Sequence, residues 1–237
     1  MLRLFVALEL PVAVRDALLV GMAGVAGARW QRDDQLHLTL RFIGDVDRHR
    51  AADIDAALAT VNCPPFELAL DAPGSFDRRG AIDTLWIGVQ PRAAVAALAQ
   101  RVDTALARVS IAPETRAFVP HITLARLSRG AGDSGHFLSR PTAALAFAVN
   151  GFALWESRLG KGSADYQIIA RYPGRVVISE YEQNHRIPSE RSPFNKLIFS
   201  IYKVYKECIS NRHARHAGDG KAPDRPCMSC GRDSNGD

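Results

Sequence analysis

Two four-residue runs in this chain repeat one pattern, His37-Leu38-Thr39-Leu40 and His121-Ile122-Thr123-Leu124. In an extended strand successive side chains point to opposite faces, so His37 and Thr39 share one face while Leu38 and Leu40 share the other. The second run repeats the division, with His121 and Thr123 on one side and Ile122 and Leu124 on the other. Brought face to face, two such strands line one cleft with two imidazoles and two hydroxyls. That set suits hydrolysis of a phosphodiester. One group must take a proton from water and another must protonate the departing oxygen, with the attacking and leaving atoms in line through phosphorus. Imidazole, whose ordinary pKa is roughly 6.5, can serve as either near neutral pH. A threonine hydroxyl can donate to the non-bridging phosphate oxygens, where a carboxylate would repel them.

The chain has seven histidines. A His-x-Thr-x run with apolar residues at both x positions is expected by chance roughly 0.05 times, so two arise in about one random chain in a thousand. His49, His136, His185, His213 and His216 have no such context and read as surface residues.

The elements that must carry the two runs are set by hydrophobic periodicity. Alternating or β-branched stretches predict strands at 2–10, 36–44, 66–71, 84–89, 121–127, 146–155 and 165–172. Amphipathic helices are expected from Val12 to about Val25, from Arg48 to about Thr60, and from Pro91 to Val109. In the last of these, Val95, Leu98, Val102, Leu106 and Val109 fall on one face. Short polar joints between strands, such as Gly160-Lys161-Gly162-Ser163, favour antiparallel pairing and an α+β fold over a parallel sheet. Each half of this region holds a helix and one His-x-Thr-x strand, so a duplicated lobe is the simple reading.

The composition bounds the remaining possibilities. Apolar residues make up 47% of 237, enough to bury a core, and the net charge of +5 permits a polyanionic partner without requiring one. The opening MLRLFVALELP meets Glu9 and Pro11 and reads as a first strand, not a signal peptide. No stretch has the roughly 18 consecutive apolar residues of a membrane span. Four cysteines in a chain this long make no disulfide framework, and a cytoplasmic setting is expected. No G-x-x-x-x-G-K-[ST] loop is present, so this motif gives no call for ATP, and no cofactor is expected.

The segments LRLFVALELP, LHLTLRFIGDV, TLWIGV, RAFVPHITLARL and YQIIARYP resemble the two-histidine (2H) phosphoesterases, and among them the RNA 2′,3′-cyclic phosphodiesterases, also called 2′-5′ RNA ligases. The likeness runs from residue 1 to about 173. It implies a bilobal α+β fold with pseudo-twofold symmetry about a central cleft, with antiparallel-sheet lobes and outer helices. It implies metal-independent hydrolysis of 2′,3′-cyclic phosphate ends of RNA, on tRNA fragments or oligonucleotides, to 2′-phosphomonoesters. His37 would be the proton donor and His121 the acceptor, and 2′-5′ joining of RNA ends could use the same site. The resemblance also assigns Arg126 to the phosphate, beside Thr39 and Thr123. Strict alternation puts Arg126 on the face away from His121, so a bulge is required. Two further positions are open. Arg41 lies at period two from Thr39 and either faces the cleft or is solvated, and Phe5 either stacks on a base or packs in the core. Trp86 and Trp155 read as packing residues. The competing functions are a 2H enzyme acting on another cyclic or 2′-5′-linked nucleotide, and an RNA-end binding protein with little turnover.

Composition changes after Pro173. Up to that point Lys161 is the only lysine, whereas the remainder carries Lys196, Lys203, Lys206 and Lys221. Residues 1–173 are therefore expected to form the domain, and 174–237 an extension with one amphipathic helix near 195–209 and then disorder. Cys227 and Cys230 would need two more ligands to hold zinc. His213 and His216 match no usual spacing, so free thiols are expected.

Overall fold

The structure, a computed structural model, describes residues 1–142, 145–159 and 164–174. The chain divides into two units, Met1–Asn184 and His185–Asp237, and every described residue lies in the first. The helix expected near 195–209, the Cys227–Cys230 pair and the turn at 160–163 lie outside the described residues.

In chain order the elements are β1 (Leu2–Glu9), α1 (Val12–Gly21), β2 (Ala28–Trp30), β3 (His37–Val46), α2 (Arg48–Leu58), β4 (Phe66–Arg78), β5 (Ala81–Gln90), α3 (Arg92–Arg108), β6 (His121–Leu127), α4 (Gly135–Leu138), β7 (Ala146–Val149), β8 (Gly151–Leu159) and β9 (Ala164–Pro173). The strands form one sheet in the order β7-β4-β5-β6-β3-β1-β8-β9, with β2 on β6. Every pairing is antiparallel.

The expected strands and helices are present, with some differences. α1 stops at Gly21, short of its expected end near Val25, and β5 starts three residues early, at Ala81. The stretch expected as a single strand at 146–155 is two, because the chain turns at Asn150-Gly151, where Gly151 has φ 156° and a β-carbon would strike the Tyr172 carbonyl. β4 runs seven residues past its expected end, to Arg78, since Asp71-Ala72-Pro73-Gly74 is a bulged stretch that keeps pairing with β5. The short β2 and α4 carry too few residues to show a period.

Helices cover one face of the sheet. Val95, Leu98, Val102 and Leu106 of α3 are at most 1% exposed, and each contributes roughly 1.5–3 kcal/mol by burial. They join Val14 and Leu18 of α1, Ile54 and Leu58 of α2, and Leu38, Leu40, Ile122 and Leu124 of the sheet in one core. α2 starts where the Asp47 carboxylate accepts the Arg50 N–H at 2.8 Å. The opposite face of β1 packs a separate small cluster, Phe5 and Ala7 with Ala153 and Trp155. Leu4 through Leu8 are therefore all buried, alternately into the two clusters. The sheet is symmetric about its middle. β1-α1-β3 and β5-α3-β6 are both strand–helix–strand units whose strands pair antiparallel, and they meet where β3 joins β6.

Candidate active site

β3 and β6 meet with Leu38 opposite Ile122. Both of these side chains enter the helix-side core. Their neighbours must turn to the other face, where antiparallel register sets His37 beside Thr123 and Thr39 beside His121. The four side chains form a two-by-two patch with the imidazoles on one diagonal. Diagonal neighbours in a regular ladder lie about 7–8 Å apart. All four are partly exposed.

The two rings are fixed by the same local device. His37 Nδ1 is 2.8 Å from the carbonyl of Gln35, and His121 Nδ1 is 2.7 Å from the carbonyl of Val119, in each case two residues upstream. A carbonyl only accepts, so Nδ1 carries the hydrogen on both rings and the neutral tautomer leaves its lone pair on Nε2. The Thr39 hydroxyl donates to that lone pair of His37 at 3.1 Å. His121 Nε2 has no hydrogen-bond partner among the described residues.

Aromatic rings crowd each imidazole. His37 lies 4.9 Å from Phe5, 5.3 Å from the edge-on Tyr166 and 5.7 Å from Trp155. His121 lies 4.8 Å from the edge-on Phe76 and 5.9 Å from Trp86. Burial among these rings pushes the His37 pKa down to about 4, with repulsion from His121 acting in the same direction and the Gln35 carbonyl opposing it. Burial lowers His121 as well, assisted by the Arg126 charge and opposed by the Val119 carbonyl. Both rings are therefore mainly neutral at pH 7 in the free protein.

A cleft of about 360 Å³ opens over the patch, lined by His37, Thr39, Thr123, Arg126, Phe5 and Phe42 among others. His121 is not among its lining residues. It lies in the Phe76–Trp86 nest, near enough for its charge to bear on His37.

Arg126 reaches the cleft by the route that strict alternation denies it. Leu85 pairs with Ala125 and Trp86 with Thr123, so Leu124 is an extra residue in β6. Leu124 and Ala125 are consecutively buried in the same core, which reverses the parity and turns Arg126 to the histidine face. Its guanidinium donates to the buried Thr84 hydroxyl at 2.6 Å, and that hydroxyl donates to Asp83 at 2.8 Å.

Arg41 neither lines the cleft nor is solvated, contrary to both of its expected placements. The same kind of bulge is responsible. Val6 pairs with Arg41 and Ala7 with Thr39, so Leu40 is the extra residue and Arg41 is turned off the Thr39 face. Its side chain, 10% exposed, binds Asp103 of α3 at 2.7 Å and also bonds to Glu114 and the Ala112 carbonyl. Phe42 takes the cleft position in its place. Phe5, 3% exposed, is a core residue whose ring also lines the cleft.

Sequence reasoning missed Gln35, Phe42, Phe76 and Tyr166, and gave Trp86 and Trp155 packing roles without linking them to the histidines. Phe42 sits five positions after His37, as Arg126 does after His121, and that matched offset was a usable signal. Gln35 holds His37 through its backbone, which no residue type announces. Neither indole N–H finds an acceptor among the described residues, so packing alone sets both tryptophans. Also among the described residues, no three His, Cys, Asp or Glu side chains converge as metal ligands would.

A family model described as the 2′-5′ RNA ligase superfamily matches residues 24–161, more than half of the chain. The chain belongs to this family, the RNA 2′,3′-cyclic phosphodiesterases of the 2H phosphoesterase superfamily. An RNA 2′,3′-cyclic phosphodiesterase of Archaeoglobus fulgidus is 30% identical over 131 residues, which cover 54% of this chain and 74% of that protein. One of Geobacillus stearothermophilus is 33% identical over 148 residues, 61% of this chain but only 47% of the relative, so this chain spans about half of that protein's length. The crystal structure of E. coli LigT complexed with 3′-AMP superposes with a TM-score of 0.62 at 28% identity, covering 73% of this chain and 98% of the other. The curled antiparallel sheet with outer helices is the bilobal 2H-phosphoesterase architecture of these structural relatives.

Proposed function

We propose that this family member opens 2′,3′-cyclic phosphate ends of RNA with water, leaving a 2′-phosphomonoester and a free 3′-hydroxyl. His121 is the proton acceptor in this reading and His37 the donor. One observation carries it: two imidazoles, each with Nδ1 held by a carbonyl, on the diagonal of a patch whose other corners are threonines, one of them bonded to His37 Nε2.

Atoms and protons balance at each step. Water oxygen bonds to phosphorus while its proton passes to His121 Nε2. The bond from phosphorus to O3′ breaks, and O3′ takes the proton from His37 Nε2. His121 is left charged and His37 neutral, and exchange with solvent restores the pair. Thr39 and Thr123 donate to the non-bridging oxygens, where Arg126 adds its charge. The donor role requires a charged His37, whereas burial keeps the free ring neutral. The phosphodiester anion supplies the remedy, since an opposite charge within about 4–6 Å favours the protonated ring. When His37 is charged its Nε2 becomes a donor, so the Thr39 hydroxyl turns its hydrogen toward the phosphate.

An RNA hydroxyl replacing water would join ends through a 2′-5′ linkage at the same site. Oligonucleotides and tRNA fragments carrying cyclic ends, met in the cytoplasm, are the substrates this reading expects. The test is product analysis on an oligonucleotide with a 2′,3′-cyclic end in excess EDTA. Turnover to the 2′-phosphate is expected. Phosphate left on the 3′ oxygen, or activity lost to chelator and restored by a divalent cation, would overturn the proposal.

A further inference from the structure

Beside the histidine cleft lies a second hollow of about 540 Å³, and Arg126 lines both. Four more arginines, Arg29, Arg78, Arg79 and Arg129, line it, with Asp83 the single acid among the described residues. They come from three places in the fold: β2, the tip of the β4–β5 hairpin, and the loop after β6. Arg29 stands directly opposite Arg126 in the β2–β6 register, where like charges repel.

Arg15, Arg41, Arg92, Arg116, Arg158 and Arg171 each rest on an acid. Among the described residues the side chains of the four basin arginines make no ion pair or hydrogen bond. Asp83 accepts the Thr84 hydroxyl, whose oxygen in turn holds Arg126. The hairpin tip adds a conformational cost. Arg79 and Gly80 form a two-residue turn with φ 55° and 77°, a left-handed pair that asparagine or glycine fills without strain and arginine does not.

We propose that this basin is a second anion subsite, which holds the sugar-phosphate backbone of the RNA strand on the 5′ side of its cyclic end. The inference rests on the proposed hydrolase reading. It adds that the preferred substrate is a strand, not a mononucleotide. Arg126 is the shared wall, so a phosphate at the histidines and the next ones along the strand meet one continuous positive surface. Among the described residues the lining has no aromatic side chain to stack on a base and no side-chain amide to read one. Backbone contacts alone carry no sequence information, so the added affinity is indifferent to base identity and strongly dependent on salt.

The experiment compares kcat/KM for a nucleoside 2′,3′-cyclic phosphate with that for a strand of about ten nucleotides ending in the same group, across a salt series. For single strands each engaged phosphate contributes about 0.7 to the log–log salt slope. The unmutated chain is expected to favour the strand by at least about tenfold at low salt. The double variant Arg78→Ala/Arg79→Ala should lose about tenfold on the strand and flatten its salt slope by about 1.4, with the mononucleotide unchanged within about twofold. Arg78→Lys/Arg79→Lys should keep most of the preference. Equal rates on both substrates in the unmutated chain, or equal losses on both in the alanine variant, would overturn the subsite.

Fluorescence anisotropy with a labelled, uncyclised strand separates this proposal from the one beneath it. If the unmutated chain turns over neither substrate, yet the alanine variant binds the strand about tenfold more weakly, the hydrolase reading falls and the basin stands. If mononucleotide turnover is sound and strand binding ignores the variant, the basin falls alone.

Discussion

His37 is packed against Phe5, Trp155 and Tyr166, and charging it there is costly. In the folded chain its pKa lies near 4, against roughly 6.5 when unfolded. Between those values the unfolded state binds more protons, so stability rises as pH climbs from about 4 to about 6.5 and is level above that. The contribution of this ring is on the order of 3 kcal/mol across the window. His37→Gln should therefore lose less stability than the parent when urea unfolding at about pH 4.5 is compared with pH 7. Identical acid losses in the two proteins would contradict the burial argument. Binding tests the same ring from the other side. If a phosphate anion restores its proton, a nucleoside 2′-phosphate should bind more tightly as pH falls from about 7.5 to 5.5, by up to about tenfold per unit for one proton. Calorimetry in buffers of different ionisation enthalpy should register proton uptake that His37→Gln removes. In turnover, His37→Ala and His121→Ala should each cost at least about two orders of magnitude in kcat, the scale of a general acid or base.

Two β-bulges, at Leu40 and Leu124, decide which residues join the histidines. They occupy the fourth position of each His-x-Thr-x run, and each reverses the parity of the strand beyond it. The histidines and threonines were legible because alternation holds from 37 to 39 and from 121 to 123. The two placements left open for Arg41 both missed its actual one, because a bulge leaves no mark in a run of ordinary strand residues. Arg126 could be assigned only by a resemblance, with the bulge invoked to permit it. The turn at Asn150-Gly151 was hidden for a similar reason, since apolar residues continue on both sides of it. With its actual partners, Arg41 is a brace between β3 and α3. Arg41→Ala should destabilise the chain by about 1–3 kcal/mol, as expected when a buried charge-assisted bond is broken, while KM for the cyclic phosphate stays within about twofold. A KM rise without a stability loss would return Arg41 to the cleft. Gly74 offers a second test at this scale. It pairs with Trp86, and a β-carbon there would collide with the indole that flanks His121. Gly74→Ala should cost about 1–3 kcal/mol by overpacking and depress kcat, and adding Trp86→Leu should recover stability but not activity.

The two halves of the domain share one plan and differ where their sheets face the cleft. On one side Phe5 pairs with Phe42, and at the matching place on the other Thr84 pairs with Arg126. The cleft therefore has an aromatic wall, where Arg3 lies over the Phe42 ring, and facing it a wall where Arg126 is held by Thr84. Among the described residues, those lining the histidine cleft fall between Arg3 and Tyr166. The change of composition after Pro173 shows in the sequence as lysines, which are absent before it apart from Lys161. Closure of the described domain sets how far the chain must extend. The Tyr172 hydroxyl donates to Asp55 of α2 at 2.6 Å, its ring stacks on Phe152, and the Gly174 N–H donates to the Asn150 carbonyl at 2.6 Å. A chain stopped after Gly174 keeps all three ties. It should hydrolyse a nucleoside 2′,3′-cyclic phosphate with kcat/KM within about twofold of the full chain and melt within about 4 °C of it. A chain stopped after Arg171 loses all three ties and the last two pairs of the β8–β9 ladder, and should be destabilised by about 3–5 kcal/mol, the range for removing a buried aromatic side chain. If the chain ending at Gly174 folds with native circular dichroism yet turns over no substrate, residues beyond 174 supply part of the site, and the two-histidine patch is insufficient for catalysis.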